Sequence, residues 1–376
     1  MSEAAFLARV RAFAEGSVAR AAPGWSLGGA PDPVLWQEAA AHGLTGITTP
    51  QENGGLGLSF NALVDACEAL AAVDFGFAMA LINTQNVGAR LCLSATDALR
   101  DAYLPRILSG EISACTALTE PGTGTDFAAI STRAAETEDG WRITGEKTWI
   151  VNGRHAGLAV VFAQCGTVGD AGSIGGFLVD LAQPGARRSA LTSGFAQGSM
   201  GTGSFTLTDA QAQPLLPPGT AFKSILTEIN AARTYVAAMC NAMLGAAIAE
   251  AADYGAERQS FGKPLNQQAA WRQPLGSAQT DLAASQALTS RAVALIATGQ
   301  DAQLTAAQAK IAATEAAQRH IPAMLHAMGA AGLLPHYPFT RHLAASQMAG
   351  FTDGATSILR DRVARLTRAG ADNPKR

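Results

Sequence analysis

Thr119-Glu120-Pro121-Gly122-Thr123-Gly124-Thr125-Asp126 stands just past the point, around Ser109-Gly110, where the chain changes its hydrophobic period. Before it, apolar residues recur at helical spacing. Phe6, Val10 and Phe13 do so first, Asp32-Pro33 opens a helix through Leu35 and Trp36, and Leu63, Ala66, Cys67 and Leu70 share one face of another. Ala78 to Leu91 carries no charge until Arg90 and reads as an internal helix. After it, as far as about Leu215, short β-type runs alternate with glycine turns: Ile130 to Ala134, Trp141 to Ile143, Ala159 to Phe162, Ile174 to Val179 and Ser204 to Leu207. No helix-length spacer separates these runs, so the expected sheet is antiparallel and not built from βαβ units. Leu215-Leu216-Pro217-Pro218-Gly219 closes it, and the helical period returns from Phe222. Three long helices are expected near 220–256, 267–297 and 301–331, then two shorter ones near 338–349 and 354–369, packed as in an up-and-down bundle. The expected fold is mainly α with a central antiparallel β domain. Its parts are a helical domain over 1–111, a β domain (a barrel or sheet) over 112–217 and a four-helix bundle domain over 218–376.

Charged residues make up 15% of the 376 and apolar residues 48%, which implies extensive buried surface, subunit interfaces included. A net charge of -3 without a basic run gives nucleic acid and anionic membranes no electrostatic footing. Cys67, Cys92, Cys115, Cys165 and Cys240 lack C-x-x-C spacing and read as buried thiols in a reducing compartment. Met1 to Arg20 has acids and no apolar h-region, which argues against a signal peptide, and no apolar run reaches membrane-spanning length. The expectation is a cytoplasmic protein that meets no membrane.

The histidines form neither H-x-x-x-H nor H-E-x-x-H, so no metal is expected. There is no G-x-S-x-G elbow and no strand-G-x-G-x-x-G-helix unit, which sets aside hydrolases and nicotinamide-binding folds. Near the C-terminus, Phe351-Thr352-Asp353-Gly354-Ala355-Thr356 isolates one acid among apolar and small residues. Such an acid suits a general base in an apolar pocket, or the cap of the helix that follows.

The stretch Cys115 to Asp126 resembles the T-E-P-x-x-G-[ST]-D signature of the acyl-CoA dehydrogenase superfamily. Glu52-Asn53-Gly54-Gly55-Leu56-Gly57, Gly145 to Gly153 (with Lys147-Thr148-Trp149-Ile150-Val151-Asn152), Arg258-Gln259-Ser260-Phe261-Gly262-Lys263-Pro264 and Asp353-Gly354-Ala355-Thr356 follow that family's order. Five motifs in order cover essentially the whole chain. The resemblance implies FAD between the sheet domain and the C-terminal helices. Leu118 and Thr119 would then meet the pyrimidine edge of the flavin ring, and Trp149 would cover one face. Arg258, Phe261 and Gly262 would serve the pyrophosphate and adenosine of a neighbouring subunit's FAD, in a homotetramer or homodimer. Thr125 would touch both the cofactor and the pantetheine arm. Arg233, Thr352 and Gly354 would line the substrate. Alternatives stay open for several: Arg258 as a solvated helix residue, Thr125 as a turn cap, Arg233 as an ion-pair partner, and Arg90 as either a surface pair or a contact for an acidic acyl end.

The chemistry implied is removal of an α-proton from an acyl thioester, with hydride leaving the β-carbon for the flavin. Asp353 would be the base, and its backbone N–H would polarise the thioester carbonyl. Acyl-CoA or an acyl carrier protein would bring the substrate, and an electron-transferring flavoprotein would take the electrons. Some positions depart from the family pattern. Asp353 replaces the usual Glu and is about 1.3–1.5 Å shorter, where a misplacement near 1 Å can cost about 10²-fold. Val151 replaces the threonine at flavin N5, His326 a glutamine near Gly329, Ala330 a glycine, Ala355 a threonine, and Ala344-Ala345 an Arg-Asp pair. Ala232 stands at the alternative base position. An aspartate base also suits a flavoprotein oxidase or monooxygenase resembling nitroalkane oxidase, and the altered flavin contacts suit a non-redox binding descendant.

Overall fold

The computed structural model describes residues 1–189, 191 and 198–371. Its N-terminal part is helical. α1 (Glu3–Phe13) runs through a π-helical turn at Ala14–Val18 into α2 (Ala19–Ser26), followed by α3 (Pro33–Ala41), α4 (Phe60–Ala71), α5 (Phe75–Ser94) and α6 (Asp97–Leu108). The caps are local and chemical: Asp32 accepts from Val34 N–H at 2.7 Å and Asp74 from Phe77 N–H at 2.8 Å. α5 is buried along most of its length, as its lack of charge predicts.

The sheet comprises β1 (Ala114–Ala117), β2 (Arg133–Thr137), β3 (Gly140–Ile150), β4 (Leu158–Gln164), β5 (Ile174–Asp180), β6 (Ala186–Ser189) and β7 (Gly203–Leu216). It is not wholly antiparallel. β1 lies parallel to β4, with Ala114 opposite Leu158 through Ala117 opposite Val161, and β2 touches β4 in parallel at Arg133 and Gln164. The 3₁₀ turn Phe127–Ala129 and the connection around it return the chain without a helix, which a spacing rule based on crossover helices does not anticipate. The same connection moves β2 three residues beyond the expected start at Ile130.

α7 (Ala221–Glu257), the short hairpin β8 (Gln259–Ser260) and β9 (Lys263–Pro264), α8 (Ala269–Ala297), α9 (Gln303–Met328), α10 (Phe339–Ala349) and α11 (Thr356–Ala371) complete the chain. α7, α8 and α9 pack on one another, α10 lies against α7 and α9, and α11 lies against α9. The expectation that no run reaches membrane-spanning length needs correction. α7 is long and apolar enough by composition, but 67% of its apolar window is buried inside the protein, because α4, α8 and α9 surround it.

Three contacts dock the sheet on the helices. Thr84 on α5 donates to and accepts from Ala114 of β1, at 3.2 and 3.1 Å. Within the sheet domain, Asn152, just past β3, donates to the same Ala114 carbonyl at 3.1 Å. Ser199 donates to the buried Asp74 at 2.6 Å.

Gly255, near the end of α7, lies under the Trp271 indole, whose Nε1 donates to Ala327 O at 3.0 Å on α9. A Cβ at Gly255 would run into that ring. Gly255→Ala is expected to cost about 1–3 kcal/mol despite alanine's better helix propensity, measured by chemical denaturation of the purified protein.

Candidate active site

α10 ends at Ala349, and the chain crosses to α11 through a tight loop. Thr352 Oγ1 donates to Met348 O at 3.0 Å and Thr356 N–H to Gly350 O at 3.0 Å. Between them Asp353 has φ = +54° and Gly354 φ = +106°. Aspartate is among the few residues that tolerate the left-handed region, and Gly354 meets no such penalty. The Oδ2 of Asp353 is buried without a hydrogen-bond partner. Burial raises the proton affinity of its carboxyl, and the charges of Lys310 and Arg233 oppose that.

The two cations reach the loop from different helices. Arg233 of α7 is buried, donating through Nε to Asp353 O at 3.1 Å and through Nη1 to Asn230 Oδ1 at 3.1 Å. Lys310 of α9 is fully buried and donates through Nζ to Gly354 O. Both therefore hold the backbone of the loop, while the Oδ2 of the carboxylate stays unpaired. Burial lowers the Lys310 ammonium to about 8 and the Arg233 guanidinium to about 10. Nothing in the one-dimensional pattern marks Lys310: Ala-Gln-Ala-Lys-Ile-Ala reads as one turn of an alanine-rich helix.

A second wall comes from the sheet. The β3–β7 register slips between Lys147 and Ile150, and in this bulge Trp149 takes φ = +56° with 55% of its surface exposed. Thr148 N–H donates to Thr119 O at 3.0 Å, so Thr119 and Trp149 lie side by side. Beneath them Lys147, with no exposure, donates to Leu118 O at 3.0 Å and to Glu120 Oε1 at 2.8 Å. Glu120 also accepts from Ser131 N–H at 2.6 Å, Ser131 Oγ at 2.7 Å and Thr132 N–H at 2.9 Å. Burial pushes the Glu120 carboxyl up, but Lys147 and these donors outweigh it and hold it at about 2. Both motif residues are thus structural, joining the loop at 118–120 to the bulge. Val151 packs against the large apolar cluster formed mainly by the N-terminal and C-terminal helices. Leu118 and Thr119 thus lie against the bulge that carries Trp149 and leads into Val151.

The remaining predicted residues lie elsewhere. Arg258 caps the far end of α7, about 37 Å from Arg233 at 1.5 Å per residue. Beside it Phe261 (φ = +52°) and Gly262 (φ = +78°) form the two-residue turn of the β8–β9 hairpin, with Phe261 94% exposed. Exposed His326 and Gly329 end α9, about 24 Å along that helix from Lys310. Trp271 ties this end of α9 to α8 and α7, so Arg258, Phe261, Gly262, His326 and Gly329 form a distal group. Thr125 is exposed on the loop before the 3₁₀ turn. Ala355 is partly buried, its carbonyl accepting from Leu359 N–H at 3.0 Å. Arg90 is ion-paired to Glu228. Among the described residues, no three His, Cys, Asp or Glu side chains gather as a metal site.

The acyl-CoA dehydrogenase N-terminal, middle and C-terminal domain families match residues 2–111, 115–210 and 220–367. The chain belongs to the acyl-CoA dehydrogenase family. The human mitochondrial short-chain specific acyl-CoA dehydrogenase is 29% identical over 328 residues, 85% of this chain and 78% of that protein. Butyryl-CoA dehydrogenase from Megasphaera elsdenii superimposes with a TM-score of 0.90 at 24% identity, over 97% of each chain, and shows the shared fold. A chain in the structure of the electron transferring flavoprotein of Acidaminococcus fermentans does so at 0.89 and 25% identity, over 97% of each chain. The family's enzymes are FAD-dependent oxidoreductases. The residues here fit that cofactor. An indole is held open to solvent by a left-handed bulge beside Thr119, and a buried carboxylate oxygen is left unpaired on the loop held by α7 and α9.

Lys147→Met removes the cation from a buried carboxylate and is expected to destabilise the protein by about 3–5 kcal/mol, with Glu120→Gln in the same chain recovering part of the loss. The Glu120 carboxyl is depressed from 4.5 to about 2 on folding. Its contribution is complete above pH 4.5 and fades as pH falls toward about 2. Urea denaturation against pH should show Glu120→Gln flattening that acid limb.

Proposed function

We propose that this protein oxidises an acyl thioester carried by coenzyme A to the α,β-unsaturated thioester, with Asp353 as the base. The observation that carries this reading is the Asp353 carboxylate. It is buried and unpaired at Oδ2, and it is backed by two cations that bond its peptide chain rather than its side chain. Bound FAD supplies the acceptor for the β-hydride. Leu118, Thr119 and Trp149 support its ring at the sheet edge, and Val151 offers an apolar surface where a hydroxyl donor would otherwise tune it. Asp353 takes the α-proton, which moves from carbon to Oδ2 while its electron pair passes into the acyl group. The Asp353 N–H and the cationic surroundings favour the negative charge that then grows on the thioester oxygen. Thr352 and Gly354 border the place where that acyl group would lie, and Thr125, exposed at the rim, suits the pantetheine arm.

The distal group supports an assembly. Arg258, Phe261, Gly262, His326 and Gly329 lie too far from Trp149 and Asp353 to serve the same cofactor molecule, and the exposed Phe261 ring needs an apolar cover. A homodimer or homotetramer in which they hold a neighbour's FAD accounts for both facts. An electron-transferring flavoprotein is the proposed oxidant of the reduced enzyme.

Anaerobic titration of the yellow protein with short and branched acyl-CoAs, followed at the flavin band, tests the reading. One class is expected to bleach the band, and Asp353→Asn to slow bleaching by about 10²–10⁴-fold. Because burial raises the Asp353 carboxyl, the rate should fall on the acid side at a pH above the ordinary carboxylate range. Bleaching by nitroalkanes and by no thioester would replace this function with an oxidase.

A further inference from the structure

The base loop is held by a lysine that bonds its backbone and not the Asp353 carboxylate. Lys310 lies inside the bundle with no exposed surface, and its ammonium bonds the carbonyl of Gly354, the residue after the proposed base. Arg233 bonds the carbonyl of Asp353 itself, at 3.1 Å. Two successive carbonyls of one left-handed turn thus point at two buried cations on α7 and α9, and the side chain between them keeps an unpaired oxygen. A cation bonded to the carboxylate would weaken it as a proton acceptor. A cation bonded to the adjoining peptide leaves the oxygen open and still contributes its charge.

We propose that Lys310 is a positioning residue for the base: its bond to the Gly354 carbonyl sets the turn that aims Asp353, and its charge allows the buried carboxylate to be an anion. This rests on the reading of Asp353 as base. The charged and titratable groups around the pair make Lys310 hard to replace. α7 presents Arg233, Tyr235 and Cys240, α4 adds Cys67 beside Tyr235, and α11 presents Arg362 toward Arg233. Glu315 on α9 is engaged with Arg360 at 2.7 Å. Lys310 and Arg233 are therefore the cations that counter Asp353, and Arg233 is already committed to Asn230. During proton transfer the α C–H bond breaks, the Asp353 O–H bond forms, and the negative charge leaves the carboxylate for the acyl group. Lys310 stays fixed, so its field acts on the charge before and after the transfer.

The test is direct titration of the carboxylate in the FAD-loaded protein. pH-dependent infrared difference spectra give the protonated Asp353 band, identified by its loss in Asp353→Asn. In Lys310→Met that band is expected to persist to a pH at least about one unit higher than in wild type, since an opposite charge nearby holds a carboxyl down by about 1–3 units. The acid limb of kcat/KM with an acyl-CoA should move with it. A lower rate with the band and the limb unmoved would make Lys310 structural only and overturn the proposal. Should Lys310→Met fail to fold, the reciprocal measurement decides. ¹³Cε-lysine NMR of the five lysines, assigned by elimination, should show Lys310 titrating at lower pH in Asp353→Asn than in wild type, and an unmoved Lys310 overturns the proposal. Neither titration uses a substrate, so both remain decisive even if no thioester reacts and the proposed function fails.

Discussion

A carboxylate oxygen kept from water either finds compensation or takes up a proton, and the C-terminal helices are arranged around that constraint at Asp353. The compensation is unusual in where it attaches. Arg233 and Lys310 spend their hydrogen bonds on the carbonyls of Asp353 and Gly354, not on the carboxylate. This requires the two carbonyls to point inward while the side chain remains free, and consecutive positive φ values at Asp353 and Gly354 provide that geometry. It also requires two long helices to pass within reach of one loop. The close packing of α7 on α9, lined by small residues such as Ala237, Ala306 and Ala313, brings them there. The alanine-rich composition of the bundle is therefore a condition for the site: bulkier side chains at this interface would separate the cations from the loop.

The sheet solves a related problem with the opposite device. Glu120 and Lys147 are buried too, but they are paired with each other, the carboxylate is filled by two backbone N–H groups and a serine hydroxyl, and the ammonium also reaches the Leu118 carbonyl. Removing one partner of such a pair is costly, while a saturated pair contributes little net stability and much geometric definition. Its effect is to fix Leu118 and Thr119 against the bulge that turns Trp149 outward. The saturated pair gives rigidity, and the unsaturated carboxylate retains the capacity to accept a proton.

The order helices, sheet, helices was legible because it depends on hydrophobic period, which survives in one dimension. The lengths of α7, α8 and α9 followed from the same signal. Asp353 was legible because a lone acid beside glycine contrasts with its neighbours. Lys310 was not, since a lysine in an alanine-rich helix looks the same whether it faces solvent or a buried loop 44 positions later. The parallel β1–β4 pairing was also hidden, because strand direction is set by how the connection at 118–132 folds back, and no local propensity records that. Glu120 and Lys147 could be seen as parts of motifs, but not as partners, since their pairing depends on the register that places Thr148 against Thr119.

The distal group shows how residues that one reading assigns to a single cofactor can lie far apart in one chain. Arg233 and Arg258 stand on a single helix, and a helix has a fixed rise, so about 37 Å between them cannot be closed by side-chain motion. That span exceeds what one dinucleotide held at Trp149 and Asp353 could reach while also touching Phe261. The β8–β9 turn faces outward at the bundle end with a bare aromatic ring at its tip, and positive φ at both turn residues makes that presentation a property of the backbone. The chain exposes such a ring past the end of α7 and an indole at Trp149. In the proposed assembly a second copy joins them, and the rigidity of α7 would set the spacing between cofactors as well as the position of the base.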